Sequence, residues 1–174
     1  TQDYYNLWIA GRLAALGKDF ARAERCAAGI AETFDAAKDD STTVEALANR
    51  RFYYELLGEI AMSREDYPRA IGMFERSLRF AARVDSPFFR TYLGRALLES
   101  GHFARAEMEF GRVLEINRNH PESLFYLGKT YAAMGDGERA KTTLRRLADI
   151  WKDADTDYPR KKELDDMLVT LGNH

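Results

Sequence analysis

Several things are scarce in this chain of 174 residues, and each scarcity closes a door. Cys26 is the only cysteine, so no internal disulfide can form, which fits a reducing, cytoplasmic setting. No apolar run approaches the roughly 20 residues needed to cross a bilayer, so membrane insertion is not expected. No charged start followed by an apolar stretch marks a secretory leader. Neither sign of charge dominates: 26 Lys and Arg face 28 Asp and Glu, a net charge of −2. Neither half is a basic tail or an acidic block, so the charge does not point to nucleic acid or a membrane surface. The chain opens on Thr1 with its pattern under way by Leu7, which suggests a piece of a longer protein or a mature form without its leader.

Catalytic chemistry is equally sparse. His102, His120 and His174 fall at a turn, a junction and the end of the chain, and none pairs with a cysteine or carboxylate at metal-ligand spacing. Asp153, Asp155 and Asp157 echo the start of a calcium loop, but its sixth position is Tyr158 instead of glycine and its twelfth is Leu164 instead of glutamate. Cys26, one turn from Ala23 with no histidine near it in sequence, reads as a packed small side chain. No glycine-rich phosphate loop occurs. No metal, cofactor or enzymatic activity is expected.

The abundant residues are Ala, Leu, Arg and Glu, all good helix formers, while four prolines and no run of β-branched alternation argue against sheet. Within Pro87 to Ile150 one pattern occurs twice. Leu93-Gly94 is followed by Leu97, Gly101, Ala106 and Phe110; Leu127-Gly128 is followed by Tyr131, Gly135, Ala140 and Leu144. The interval from Gly94 to Gly128 is a period of the size that signals a helical repeat array. Upstream, Gly11 and Gly58 take the same place, and in all four units an alanine follows at one fixed spacing: Ala23, Ala70, Ala106 and Ala140. Small residues at that spacing let two helices of a hairpin approach closely.

In chain order the pattern predicts helix pairs over about 4–40, 43–84, 87–118 and 121–152, then a closing helix over about 158–172. Gly17 is expected to stop the first helix, Ser41 to Thr43 to cap the third, and Asp85 or Ser86 with Pro87 to open the fifth. The last helix, with Leu164, Met167 or Leu168, and Leu171 on one side, reads as the lid that a solenoid end requires.

These residues resemble the tetratricopeptide repeat family, whose pattern is W-x2-L-G-x2-Y, then A-x3-F, then proline. The third unit reads Arg90-x2-Leu93-Gly94-x2-Leu97 and Ala106-x3-Phe110, and the fourth Leu124-x2-Leu127-Gly128-x2-Tyr131 and Ala140-x3-Leu144. The second reads Tyr54-x2-Leu57-Gly58-x2-Ala61 and Ala70-x3-Phe74; the first, Leu7-x2-Ala10-Gly11-x2-Ala14 and Ala23-x3-Ala27, is the most divergent. The pattern's tryptophan and terminal proline are absent. The resemblance implies an all-α right-handed superhelix acting as an interaction scaffold, its partner held in the concave groove lined by the first helix of each unit. The tail from Ile150 is loosely similar to endings of such arrays in multidomain bacterial regulatory proteins.

On the helix face opposite the core-facing Leu-Gly positions, the register places Tyr5, Trp8, Arg12, Phe52, Glu59, Phe88, Arg95, Phe125 and Lys129. Aromatics and arginines are the usual anchors of interfaces, so this surface is expected to bind a peptide or helix with apolar anchors and some acidic groups. Alternatively, the aromatics pack between neighbouring repeats. The family's clamp for a chaperone's terminal carboxylate uses basic residues and asparagines. The inner positions here begin Trp8 and Arg12, then Glu55, Leu56 and Glu59, which disfavours that role. A second possibility is self-association through the open N-terminal end, where Tyr4, Tyr5, Leu7 and Trp8 have no helix before them.

Overall fold

A computed structural model of the chain describes residues 3–35, 44–80, 86–153 and 159–172. The expected caps at Ser41 to Thr43 and Asp85, and His174, Asp155 and Asp157, lie outside these. Among the described residues every regular element is helical: α1 (Asp3–Leu16), α2 (Phe20–Asp35), α3 (Val44–Ser63), α4 (Tyr67–Arg79), α5 (Ser86–Glu99), α6 (Phe103–Ile116), α7 (Pro121–Ala133), α8 (Gly137–Ile150) and α9 (Pro159–Gly172). Successive helices pack against each other as hairpins that stack into an all-α, right-handed solenoid.

Local chemistry sets each hairpin. Asp19, Asp66 and Asp136 each accept the backbone N–H three residues on, from Arg22, Arg69 and Arg139, at 3.1, 3.3 and 3.0 Å. These are N-caps, satisfying a donor that the first helical turn leaves free. Just before each of these caps the chain turns through a left-handed residue, Lys18, Glu65 or Gly135, with φ of 60°, 61° and 78°; in the third unit Gly101, φ 78°, does the same before His102, which makes no side-chain cap. The turn in the first unit thus falls on Lys18, one residue beyond the Gly17 expected to make it. Side chains carry a steric cost in this region that glycine avoids. Glu65→Gly is therefore expected to raise stability by about 0.5–1 kcal/mol, read as a higher urea midpoint; a lower midpoint would show that Glu65 makes a compensating contact.

The repeat glycines seat a residue other than the alanine of the pattern. A Cβ on Gly58, Gly94 or Gly128 would lie 2.4, 2.5 or 2.4 Å from the side chain one turn beyond that alanine, Phe74, Phe110 or Leu144. The alanines are themselves wholly buried in the hairpin. The first unit has the small Ala27 at that place, and Leu56 reaches across from α3 to fill the space, 2.6 Å from a Cβ on Gly11. The same ladder joins neighbouring repeats: Tyr92 stacks on Phe74 at 5.8 Å and Tyr126 on Phe110 at 6.1 Å. Leu56, Tyr92 and Tyr126 all stand two residues before the repeat glycine. One core cluster runs from Ala61 to Leu164 on α9, and a second holds α1 and α2 against Leu56 and Ile60 of α3. Cys26 is buried in the second cluster.

Candidate functional site

The odd-numbered helices α1, α3, α5 and α7 present the nine residues singled out by register. Tyr5 and Phe88 are exposed, at 43% and 41%. Arg12, Phe52, Arg95 and Lys129 are half-buried, whereas Trp8, Glu59 and Phe125 are buried. Trp8 and Phe125 thus pack between helices and are not free anchors. The helical register gives a side chain's direction but not how far the next repeat overlaps it.

The nine residues separate into two zones. The first is a cleft of about 360 Å³ between the N-terminal halves of the odd-numbered helices, lined by Tyr5, Trp8, Arg51, Phe52, Pro87, Phe88, Phe89 and His120. Its walls are an aromatic chain: Tyr5 meets Trp8 at 5.3 Å, Trp8 meets Phe52 at 4.8 Å, Phe52 meets Phe89 at 6.1 Å, and Phe88 meets Phe89 at 5.6 Å. The Arg51 guanidinium lies over Phe52 and Phe89, 4.8 Å from each ring. At the far rim, His120 caps α7: its Nδ1 accepts from Ser123 N at 3.2 Å. That bond leaves the neutral ring's proton on Nε2, as a donor. Burial holds the His120 pKa below its ordinary value, against the pull of Glu122. Arg51, Phe89 and His120 are not among the residues that the sequence singles out. His120 before Pro121 is the one legible sign, a capping residue followed by proline at the first helical position.

The second zone is a row of buried charges further along the same helices. Trp8 Nε1 donates to Glu55. Arg12 reaches Glu55 at 3.4 Å and Glu59 at 3.8 Å, and Arg95 reaches Glu59 at 3.9 Å. The Arg12 guanidinium lies 5.0 Å from both the Trp8 and Tyr92 rings, and Arg95 lies 5.1 Å from Tyr126. Burial pushes the carboxyls of Glu55 and Glu59 up. For Glu55 the charge of Glu59 adds to this, and Arg12 and Trp8 oppose it; for Glu59, Arg95 and Arg12 oppose it. Burial also raises the Tyr92 hydroxyl. Lys129 pairs with Glu163 of α9 at 2.9 Å and lies over Phe125 at 5.5 Å. The cations expected to meet an acidic ligand are therefore already engaged inside the fold, Arg12 and Arg95 against Glu55, Glu59 and aromatic rings and Lys129 against Glu163.

The predicted open edge also differs in composition. Trp8 is buried and Tyr4 and Leu7 are half-buried, while Ile9, Leu13 and Leu16 of α1 stand exposed. Among the described residues no group of three or more His, Cys, Asp or Glu side chains is placed to hold a metal, and no helix is long and apolar enough to cross a membrane.

Comparison with known proteins agrees with this architecture. The tetratricopeptide repeat family model matches residues 97–158. The nearly identical TPR-like repeats of a putative kinesin light chain from Podosopora anserina superpose with a TM-score of 0.69 at 14% identity, covering 99% of this chain and 87% of that one. MamA superposes with a TM-score of 0.61 at 18% identity over 99% and 89%. The TPR2B domain of yeast Sti1, solved as a complex with pHsp70, gives 0.63 at 14% identity over 71% and 97%. No match emerges among curated protein sequences. Residues 97–158 thus match that family's model, and the whole chain shares the helical-repeat fold of these structures.

Proposed function

We propose that this tetratricopeptide-repeat array is a protein-binding scaffold whose concave cleft grips a peptide by one aromatic or aliphatic side chain. The observation that carries it is the exposure of Tyr5 and Phe88 across a cleft otherwise walled by Phe52 and Phe89. Singly exposed apolar side chains are ordinary, but two aromatics facing each other over a concave aromatic floor make a binding site's usual lining. The His120 Nε2–H at the rim supplies a donor for a peptide carbonyl. Because Arg12 and Arg95 are half-buried against aromatic rings and Lys129 is paired with Glu163, acidic residues in the peptide contribute little. Likeness to the Sti1 domain, whose structure holds pHsp70, supports a role in binding proteins.

Peptides selected from a random display library against the full chain are expected to converge on one large apolar residue without enrichment in Asp or Glu. A Tyr5→Ala/Phe88→Ala variant should bind them with about 1.4–2.8 kcal/mol less free energy, roughly ten- to a hundredfold weaker, at an unchanged melting temperature. Selected peptides that bind parent and variant equally, or that converge on acidic residues, would place the site elsewhere.

A further inference from the structure

Among the described residues the side-chain caps of α2, α4 and α8 are carboxylates, and that of α7 differs in kind. Asp19, Asp66 and Asp136 stay ionised, and keep accepting, down to about pH 4. His120 accepts through a ring nitrogen, which stops accepting once it is protonated. A row of hydrogen bonds starts at that nitrogen. Nδ1 accepts from Ser123 N at 3.2 Å, the Ser123 and Thr91 hydroxyls pair at 3.1 Å, and Thr91 donates to the Pro87 carbonyl at 3.0 Å. Because Thr91 gives its one proton to Pro87, Ser123 supplies the proton of the middle bond. Thr91 and Ser123 are buried. Both ends of the row, His120 and Pro87, line the aromatic cleft. The row thus ties the first turn of α7 to the first turn of α5, and both turns belong to the cleft.

The surroundings of the ring discourage a second proton. Among the described residues the nearby charges are Glu122 on its own helix, Arg51 of α3 in the same cleft, Arg160 of α9, Arg118 of the junction and Arg146 of α8. Glu122 is paired with Arg160 at 2.8 Å, and Arg146 is turned to the Arg118 carbonyl and Asn119. From α5, Arg90 is held by Glu109 of α6; from α1, Tyr5 shares the cleft. A helix N-terminus itself disfavours a cation. Burial lowers the pKa of the ring, and Glu122 opposes it. We propose that His120 is an acid-released latch on the cleft: protonation frees the ring from Ser123, breaks the row at its first bond and withdraws the rim donor from a bound peptide. This rests on the cleft being the peptide site. Neutral, the ring is fixed by Ser123 and presents Nε2–H at the rim. Protonated, Nδ1 carries a hydrogen and meets the Ser123 N–H donor to donor. The ring is then a cation at a helix N-terminus in a cleft that already holds Arg51, and it turns out to water. A pKa below the ordinary histidine value keeps the latch closed through neutral pH and opens it only in acid.

The test is a titration of the full chain from about pH 8 to about pH 4.5, followed by NMR. The Ser123 and Thr91 amide resonances should shift together with protonation of the His120 ring, at a midpoint below the ordinary histidine value, while the helical circular dichroism holds. His120→Asn keeps an oxygen that can cap α7 and does not titrate, so its Ser123 amide should show no such step. A peptide from the display selection should bind the parent roughly two- to tenfold more weakly at the acid end, the loss of one hydrogen bond. The His120→Asn variant should lack that loss. Glu55 and Glu59 are present in both proteins, so the comparison isolates His120. A Ser123 amide indifferent to the His120 ring, a midpoint at or above the ordinary value, or the same acid loss in His120→Asn would overturn the latch. Peptides that bind the Tyr5→Ala/Phe88→Ala variant as well as the parent at neutral pH would instead move the binding site, with the Ser123 titration still deciding whether the latch exists.

Discussion

Truncating Phe110 to alanine is expected to cost about 3–5 kcal/mol, the range for deleting a large buried ring. Phe110 is completely buried and belongs to two interfaces at once. Within its hairpin it lies on Gly94, where an added Cβ would come within 2.5 Å of Cε1. Towards the next hairpin it stacks on Tyr126 with ring planes 14° apart. In an array whose stability is the sum of units and the contacts between neighbours, this one residue contributes to both terms. The loss is measured as a fall in the urea midpoint. Gly94→Ala probes the same contact from the other side and should cost about 1–3 kcal/mol, because the ring has no free space into which to retreat. Combined with Phe110→Ala, the glycine substitution should cost less than it does alone, since its methyl then enters the vacated space. Additive losses, or a Phe110→Ala loss below about 1 kcal/mol, would mean that the glycine is not the seat of the ring.

How much of this is open to inspection in the sequence depends on whether a feature is local. The period, the placing of Gly11, Gly58, Gly94 and Gly128 at helix contacts, and the all-helical class follow from spacing within one hairpin. What touches the glycine does not. Ala106 and Phe110 lie on one helix a turn apart, as do Ala70 and Phe74 or Ala140 and Leu144, and spacing alone favours the alanine of each pair. Leu56 filling the room left by Ala27 is a compensation between two units and leaves no mark in either alone. The candidate site divides the same way. Register finds Tyr5, Phe52 and Phe88 because they lie on a face left uncovered. Trp8 and Phe125 share that register but are covered by the overlap of neighbouring helices. Arg12 and Arg95 read as ligand cations in the sequence, whereas in the fold Glu55 and Glu59, contributed by a different helix, hold them.

That buried row makes the chain's stability depend on pH in an unusual direction. The Glu55 carboxyl, ordinarily near 4.5, is pushed up to about 8, first by burial and then by Glu59, against Arg12 and the Trp8 N–H. A carboxyl that holds its proton more tightly when folded contributes its full stability below its unfolded value. That stability is lost as pH climbs through the folded value. Between about pH 5 and pH 8 the folded chain therefore carries a proton that the unfolded chain has released, and stability should fall by up to about 1.36 kcal/mol per pH unit. Spread over the window and shared with Glu59, the loss is on the order of 2–4 kcal/mol. Glu55→Gln removes the titration but keeps an oxygen to accept from Trp8. Its melting temperature should exceed the parent's near pH 8, with the advantage shrinking towards pH 5. The comparison between parent and variant also cancels His120, whose lowered pKa pulls stability the opposite way as acid is added. A parent whose melting temperature holds steady or rises across the window, or a Glu55→Gln variant less stable at the alkaline end, would mean that Arg12 keeps Glu55 ionised. In that case the row would be a true salt bridge, and substituting glutamine would break it.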